Sequence, residues 1–88
     1  MRTNPDIKLF HVGSDYFAVD MSAETVNYTH LYKMNEATAM LWEAFQGKDF
    51  DDEMMVDKLC EEYDVPRDVA LRDVRQLLSE WQAIGMMV

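Results

Sequence analysis

The chain has 88 residues, of which 49% are hydrophobic, and a formal net charge of −9. This length fits one domain over residues 1–88, and the hydrophobic fraction is that of a folded chain. An acidic chain repels the phosphates of nucleic acids and anionic lipids, so neither partner is expected. The single cysteine, Cys60, excludes an internal disulfide, and no apolar run is long enough for a membrane span or a secretion signal. A cytoplasmic location is therefore expected.

The first part of the chain alternates with the period of β-strands. Residues 1–6 are polar and are expected to fray. Strands are predicted over Ile7–Val12 and Tyr16–Met21, with a turn at Gly13-Ser14-Asp15 between them. A third strand is predicted from about Thr25 to Met34. Consecutive strands with short connections form an antiparallel meander, which leaves an open edge on each side.

The predicted third strand has two unlike faces. Its even positions form the more apolar face. Its odd positions form the more polar face, which holds Asn27, Thr29, Leu31 and Lys33.

At Asn35 the spacing of apolar residues changes from two to three and four. Asparagine is a favoured N-cap, so a first helix is predicted over Glu36–Gln46, with Gly47 as its left-handed C-terminal cap. Asp51 and Asp52 begin a second helix, where acids favour the positive helix end. A third helix starts near Pro66 and ends at Gly85. The sequence thus predicts an α+β domain in which a three-stranded antiparallel sheet precedes three helices (βββααα).

The third helix has an apolar stripe and two different flanks. The stripe is predicted to hold Ala70, Val74, Leu77, Trp81 and Ile84. One flank carries Arg67, Leu71, Arg75 and Leu78, and the other carries Val69, Asp73, Gln76 and Glu80. Leu71 and Leu78 widen the apolar surface, which favours a ligand groove on their flank. A wide stripe packed against both sheet and helices explains them equally well.

No signature of an enzyme or a metal site is present. The chain lacks the glycine-rich phosphate-binding patterns and the G-x-S-x-G nucleophile pattern. His11 and His30 fall on separate strands, and acidic neighbours favour a structural role for the Cys60 thiol. The acids from Asp49 to Glu53 lack the glycine and the final glutamate of a calcium loop. We therefore expect no catalytic residue, no metal and no cofactor.

Several segments together resemble the pyrroloquinoline quinone biosynthesis protein D family. They are Leu31–Trp42 followed by Gly47, Leu59 with Glu62–Val65, Arg72–Val74 with Leu77-Leu78, and Ile84–Met86. The resemblance covers the chain from about Ile7 to its C-terminus. It implies a winged-helix-like fold and a role as a recognition element for ribosomally made, post-translationally modified peptides.

The resemblance also implies how such an element binds. The leader region of a precursor peptide adds a strand beside the third strand, in a groove walled by the third helix. A partner enzyme, often a radical S-adenosylmethionine protein, then modifies the core peptide. The expected peptide-binding residues are Asn27, Thr29, Leu31, Lys33, Arg67, Leu71, Arg75 and Leu78. Leader carboxylates are expected to meet Arg67 and Arg75, while apolar leader side chains fill the groove.

Two other functions fit the same elements. A winged-helix module that binds nucleic acid would use the third helix as its reader, although the three arginines of that helix are a weak electrostatic footprint in a chain of net charge −9. A general protein–protein adaptor would use the acidic second helix to dock a basic partner. An open strand edge also invites homodimers.

Overall fold

A computed structural model describes residues 1–21 and 32–88 of the chain. Within these residues the elements are β1 (Ile7–Val12), β2 (Asp15–Asp20), β3 (Tyr32–Met34), α1 (Glu36–Phe45), α2 (Asp52–Glu62) and α3 (Arg67–Ala83). The strands form an antiparallel sheet in the order β1-β2-β3. The predicted α+β arrangement, βββααα, is confirmed.

The first two strands form a hairpin with a two-residue turn. Val12 pairs with Asp15, so β2 begins one residue before its predicted start. Gly13 has a φ of +63°, which glycine adopts readily at the first central position of such a turn. Of the predicted third strand, residues 32–34 are observed, and residues 25–31 lie outside the described part of the chain.

The first two helices begin at side-chain caps. The Asn35 Oδ1 atom accepts a hydrogen bond from the Thr38 N–H at 2.8 Å, which confirms the predicted start of α1. An Asp51 carboxylate oxygen accepts from the Met54 N–H at 2.9 Å in the same way. Gly47, with a φ of +75°, follows the end of α1 as predicted. Local sequence signals therefore place these boundaries.

The core lies between one face of the sheet and the three helices. Trp42 of α1 and Trp81 of α3 are both fully buried, and their rings meet edge to face with centroids 5.2 Å apart. Aromatic pairs favour this geometry because the positive ring edge meets the negative ring face. The sheet contributes buried residues of its inner face, which include Ile7, Ala18 and Met34.

The buried stripe of α3 differs from the predicted one. Ala70, Val74 and Trp81 are buried as expected, but Leu78 takes the place of Leu77 and Ile84. Leu77 is half-buried, and Ile84 is 50% exposed. At 100° per residue, this substitution turns the buried direction by roughly 30° toward Leu78. The predicted groove residue Leu78 is therefore a core residue.

The N-terminal segment differs from the expectation that residues 1–6 fray. Thr3 is buried and forms an isolated antiparallel bridge with Met87. The Asn4 N–H donates to the Met86 carbonyl at 2.8 Å. The two chain ends hold each other in place, and the partners are too far apart in sequence for local patterns to predict the contact.

Replacing Leu78 by alanine should lower the free energy of unfolding by about 2–4 kcal/mol, because a buried leucine leaves a cavity when it is truncated. Ile84→Ala is the matched control on the same helix, and it should lower that free energy by about 1 kcal/mol or less. Urea unfolding followed by tryptophan fluorescence measures both values. Equal losses in the two variants would contradict this orientation of α3.

Removing the cap of α2 gives a second test of the fold. Asp51→Ala should lower the free energy of unfolding by about 1 kcal/mol, because the Met54 N–H loses its acceptor. For a domain of this size that corresponds to a fall of about 4–8 °C in Tm. Asp51→Ser keeps an acceptor and should retain most of the stability. A Tm unchanged in the alanine variant would show that the cap does not stabilise the fold.

Candidate functional site

A cleft of about 380 Å³ opens between the three helices. Its walls are the N-terminal end of α1, the C-terminal end of α2 with the residues that follow it, and one flank of α3. The lining residues are Asn35, Ala37, Thr38, Leu41, Leu59, Tyr63, Val65, Asp73, Val74, Gln76, Leu77 and Glu80. This volume lies at the small end of the range for ligand pockets.

The cleft has an apolar floor and a polar rim. Leu41, Leu59 and Val74 are buried at its base, and Leu77 is half-buried beside them. On the α3 side, the exposed rim residues include Asp73 and Glu80. An apolar floor favours an aliphatic or aromatic group, and a polar rim orients what carries it.

A hydrogen bond connects the cleft to the sheet. The Tyr32 hydroxyl of β3 donates to a Glu80 carboxylate oxygen of α3 at 3.2 Å. Partial burial, and the charge and hydrogen bond of Glu80, raise the pKa of the Tyr32 phenol above its ordinary value. The phenol therefore stays a neutral donor at physiological pH. Asn35 follows β3 directly and lines the cleft, so the strand leads into the cleft mouth.

The strand that leads into the cleft is an edge strand. In the described part of the chain β3 pairs only with β2, with Ala18 opposite Tyr32 and Tyr16 opposite Met34. Residues of an antiparallel strand alternate in pointing both main-chain groups toward the neighbour and away from it. Three residues therefore leave roughly two to four main-chain groups facing the open edge. Main-chain groups that are unpaired at a sheet edge can accept an added strand.

The predicted arginines lie elsewhere on α3. The Arg67 guanidinium contacts Asp57 at 2.7 Å and Glu53 at 2.6 Å, and hydrogen bonds to these two carboxylates raise its pKa. Arg75 lies 3.3 Å from Asp52. All three carboxylates belong to α2, so this flank of α3 packs beside α2.

The other predicted helix residues do not line the cleft either. Leu78 is buried in the core, and the half-buried Leu71 packs against that core. The structure thus places the opposite flank of α3, with Glu80, beside β3. The peptide-binding role predicted for Arg67, Leu71, Arg75 and Leu78 stays a prediction.

The predicted strand residues divide into one described residue and three that are not. Lys33 points to the outer face of the sheet, because side chains alternate along a strand and its neighbour Met34 is buried on the inner face. The Lys33 Nζ lies 3.5 Å from an Asp15 carboxylate oxygen. Asn27, Thr29 and Leu31 lie outside the described residues. Their role in peptide binding stays a prediction.

Sequence reasoning missed the cleft residues of α1 and α2. Leu41, Leu59 and Tyr63 appear on core-facing stripes, and nothing in the pattern separates a cleft floor from a closed core. A charge signal was available for α3: the carboxylates of α2 match Arg67 and Arg75 across a short connection. That match indicates which flank α2 covers, and therefore which flank stays open.

In residues 1–21 and 32–88, the His, Cys, Asp and Glu side chains form no group of three or more that could hold a metal ion. The helices in these ranges include none with the length and apolarity needed to cross a bilayer.

Residues 9–87 match the family described as coenzyme PQQ synthesis protein D (PqqD). In structure the chain is similar to TbiB1, solved in complex with the TbiA(beta) leader peptide, with a TM-score of 0.74 over 98% of this chain and 93% of that chain. The two sequences are 19% identical, so this likeness shows a shared fold. No curated protein matches the chain. Because the family match spans nearly the whole sequence, the chain belongs to the PqqD family.

Proposed function

We propose that this chain is a non-catalytic recognition module that captures the leader region of a ribosomally made precursor peptide. The leader adds a strand along the open edge of β3 and places a side chain in the cleft. The observation that carries this proposal is the Tyr32–Glu80 hydrogen bond, which connects β3 to the α3 wall of the cleft. Membership of the PqqD family supports it, as does the similar fold of a protein solved with a leader peptide.

The strand edge and the cleft would each contribute part of the binding free energy. Two to four main-chain hydrogen bonds contribute roughly 1–6 kcal/mol, at about 0.5–1.5 kcal/mol each. Micromolar binding requires about 8 kcal/mol, after the leader has been ordered. An aliphatic or aromatic side chain buried in the cleft adds about 1.5–3 kcal/mol. Edge and cleft must therefore act together, and the predicted strand residues Asn27, Thr29 and Leu31 would lengthen the edge.

The module itself is assigned no chemistry. The His11 ring stacks on the Tyr16 ring at 4.2 Å, and the Cys60 Sγ lies 3.6 Å from the Val65 carbonyl oxygen. Neither group lines the cleft. A separate modifying enzyme, such as a radical S-adenosylmethionine protein, would act on the core peptide while the leader is held here.

The two alternatives have less support. A nucleic-acid reader would need Arg67 and Arg75 free to meet phosphates, and both contact carboxylates of α2. Those arginines also partly neutralise the acidic face that a general adaptor would present to a basic partner. Homodimers through the edge of β3 would compete with the leader for the same main-chain groups.

Peptide binding can be mapped on the intact chain by NMR. Overlapping synthetic peptides covering a short reading frame encoded beside this chain would be titrated into the isotope-labelled protein. We expect one segment to bind and to shift the amide signals of residues 32–34 together with those lining the cleft. Failure of every segment to bind would contradict the proposal, as would shifts confined to the acidic face of α2.

Leu77→Asn should weaken binding of that segment by about tenfold or more, because the cleft loses apolar surface that the leader side chain covers. Ile84→Asn is the matched control, since Ile84 is exposed on the same helix and does not line the cleft. Its affinity should equal that of the wild type. Circular dichroism checks that both variants fold, and calorimetry measures both affinities. Equal affinities in the two variants would place the binding site elsewhere.

A further inference from the structure

The charge of the cleft restricts what kind of peptide it accepts. The twelve lining residues include two acids, Asp73 and Glu80, and neither lysine nor arginine. We infer that the bound leader carries a lysine or arginine two residues from the apolar side chain that enters the cleft. This inference rests on the proposed function and adds the chemical class of the ligand. It reverses the expectation that leader carboxylates meet arginines of α3.

Both rim carboxylates are available to a cation. Glu80 accepts a hydrogen bond from the Tyr32 hydroxyl, a neutral partner that leaves its negative charge uncompensated. Asp73 lies 3.9 Å from Arg72, its chain neighbour, whose side chain is 75% exposed. An exposed pair at that distance is weak. By contrast, the cations on the other flank, Arg67 and Arg75, are turned toward α2.

The partial charges of the helix ends at the cleft do not change the negative sign of the electrostatic potential at its rim. The N-terminal end of α1 brings about half a positive charge, and the C-terminal end of α2 brings about half a negative charge. These contributions oppose each other, so the full charges of Asp73 and Glu80 decide the potential at the rim. The net charge of −9 also attracts basic peptides over longer distances.

Strand geometry gives the spacing of the motif. Side chains of a strand alternate between its two faces, so residues i and i+2 point the same way about 6.6–6.8 Å apart. An apolar residue over Leu77 and a basic residue at the rim must point toward the same helix. The expected pattern is therefore basic-any-apolar, or the reverse order for the opposite strand direction.

The test is selection from a phage-displayed library of random dodecapeptides on the immobilised chain at low salt. We expect enriched peptides to carry lysine or arginine two positions from an aliphatic or aromatic residue. In a synthetic version of the best peptide, changing that basic residue to glutamine should weaken binding by about two- to fivefold. High salt should reduce this difference, because it screens exposed charges.

Matched charge variants separate a local effect from the net charge. The double variant Asp73→Asn with Glu80→Gln should lose the preference for the basic residue. Glu43→Gln with Glu61→Gln removes the same total charge from exposed positions outside the cleft and should keep it. Equal behaviour of the two double variants would overturn the inference.

The remaining outcomes distinguish the inference from the proposed function. Selected peptides that shift the NMR signals of residues 32–34 and the cleft, but carry no basic residue, would overturn the inference and leave the proposed function standing. Peptides that shift neither region, or no enrichment at all, would overturn the proposed function itself.

Discussion

The edge-to-face contact between Trp42 and Trp81 determines how α3 sits on the rest of the fold. Both rings are fully buried, so neither helix can turn without opening the core. With Trp81 held inward, Leu77 and Leu78 lie on either side of it, about 40° and 60° away at 100° per residue. Packing of the Leu78 side against α2 buries Leu78 and leaves Leu77 beside the cleft. The flank that carries Glu80 then meets β3. The buried aromatic pair and the packing against α2 therefore decide together which side chains line the cleft.

Ion pairs on the opposite flank of α3 reinforce this orientation and also neutralise part of the negative charge of α2. Arg67 and Arg75 meet three carboxylates of α2. Each exposed pair stabilises the fold by only about 0–1 kcal/mol, so their larger effect is on the surface potential. They neutralise part of α2, whereas the acids of the cleft rim keep their charge. Two of the acids of the chain, Asp73 and Glu80, thus lie where the proposed peptide would bind.

The sequence predicted the structural features that depend on residues close together in the chain. The Asn35 cap, the Gly13 turn and the order of the six elements all follow from residues within a few positions of one another. It did not predict contacts between distant segments, such as the bridge from Thr3 to Met87. Nor could a helical wheel choose between Leu77 and Leu78. They are identical side chains, and only packing against α1 and α2 separates a core position from a cleft position.

The edge of β3 and the cleft beside it would distinguish peptides in different ways. Main-chain hydrogen bonds are the same for every sequence, so an open edge attracts extended peptides without selecting among them. Selection must come from side chains, and beside the edge the described structure offers one apolar floor, near Leu77, with acids along its rim. A floor of this kind contacts one ligand side chain at most, so it can distinguish peptides only by that side chain. In the proposed mode of binding, the rim charges and the spacing of two residues would supply the second constraint that a specific leader requires.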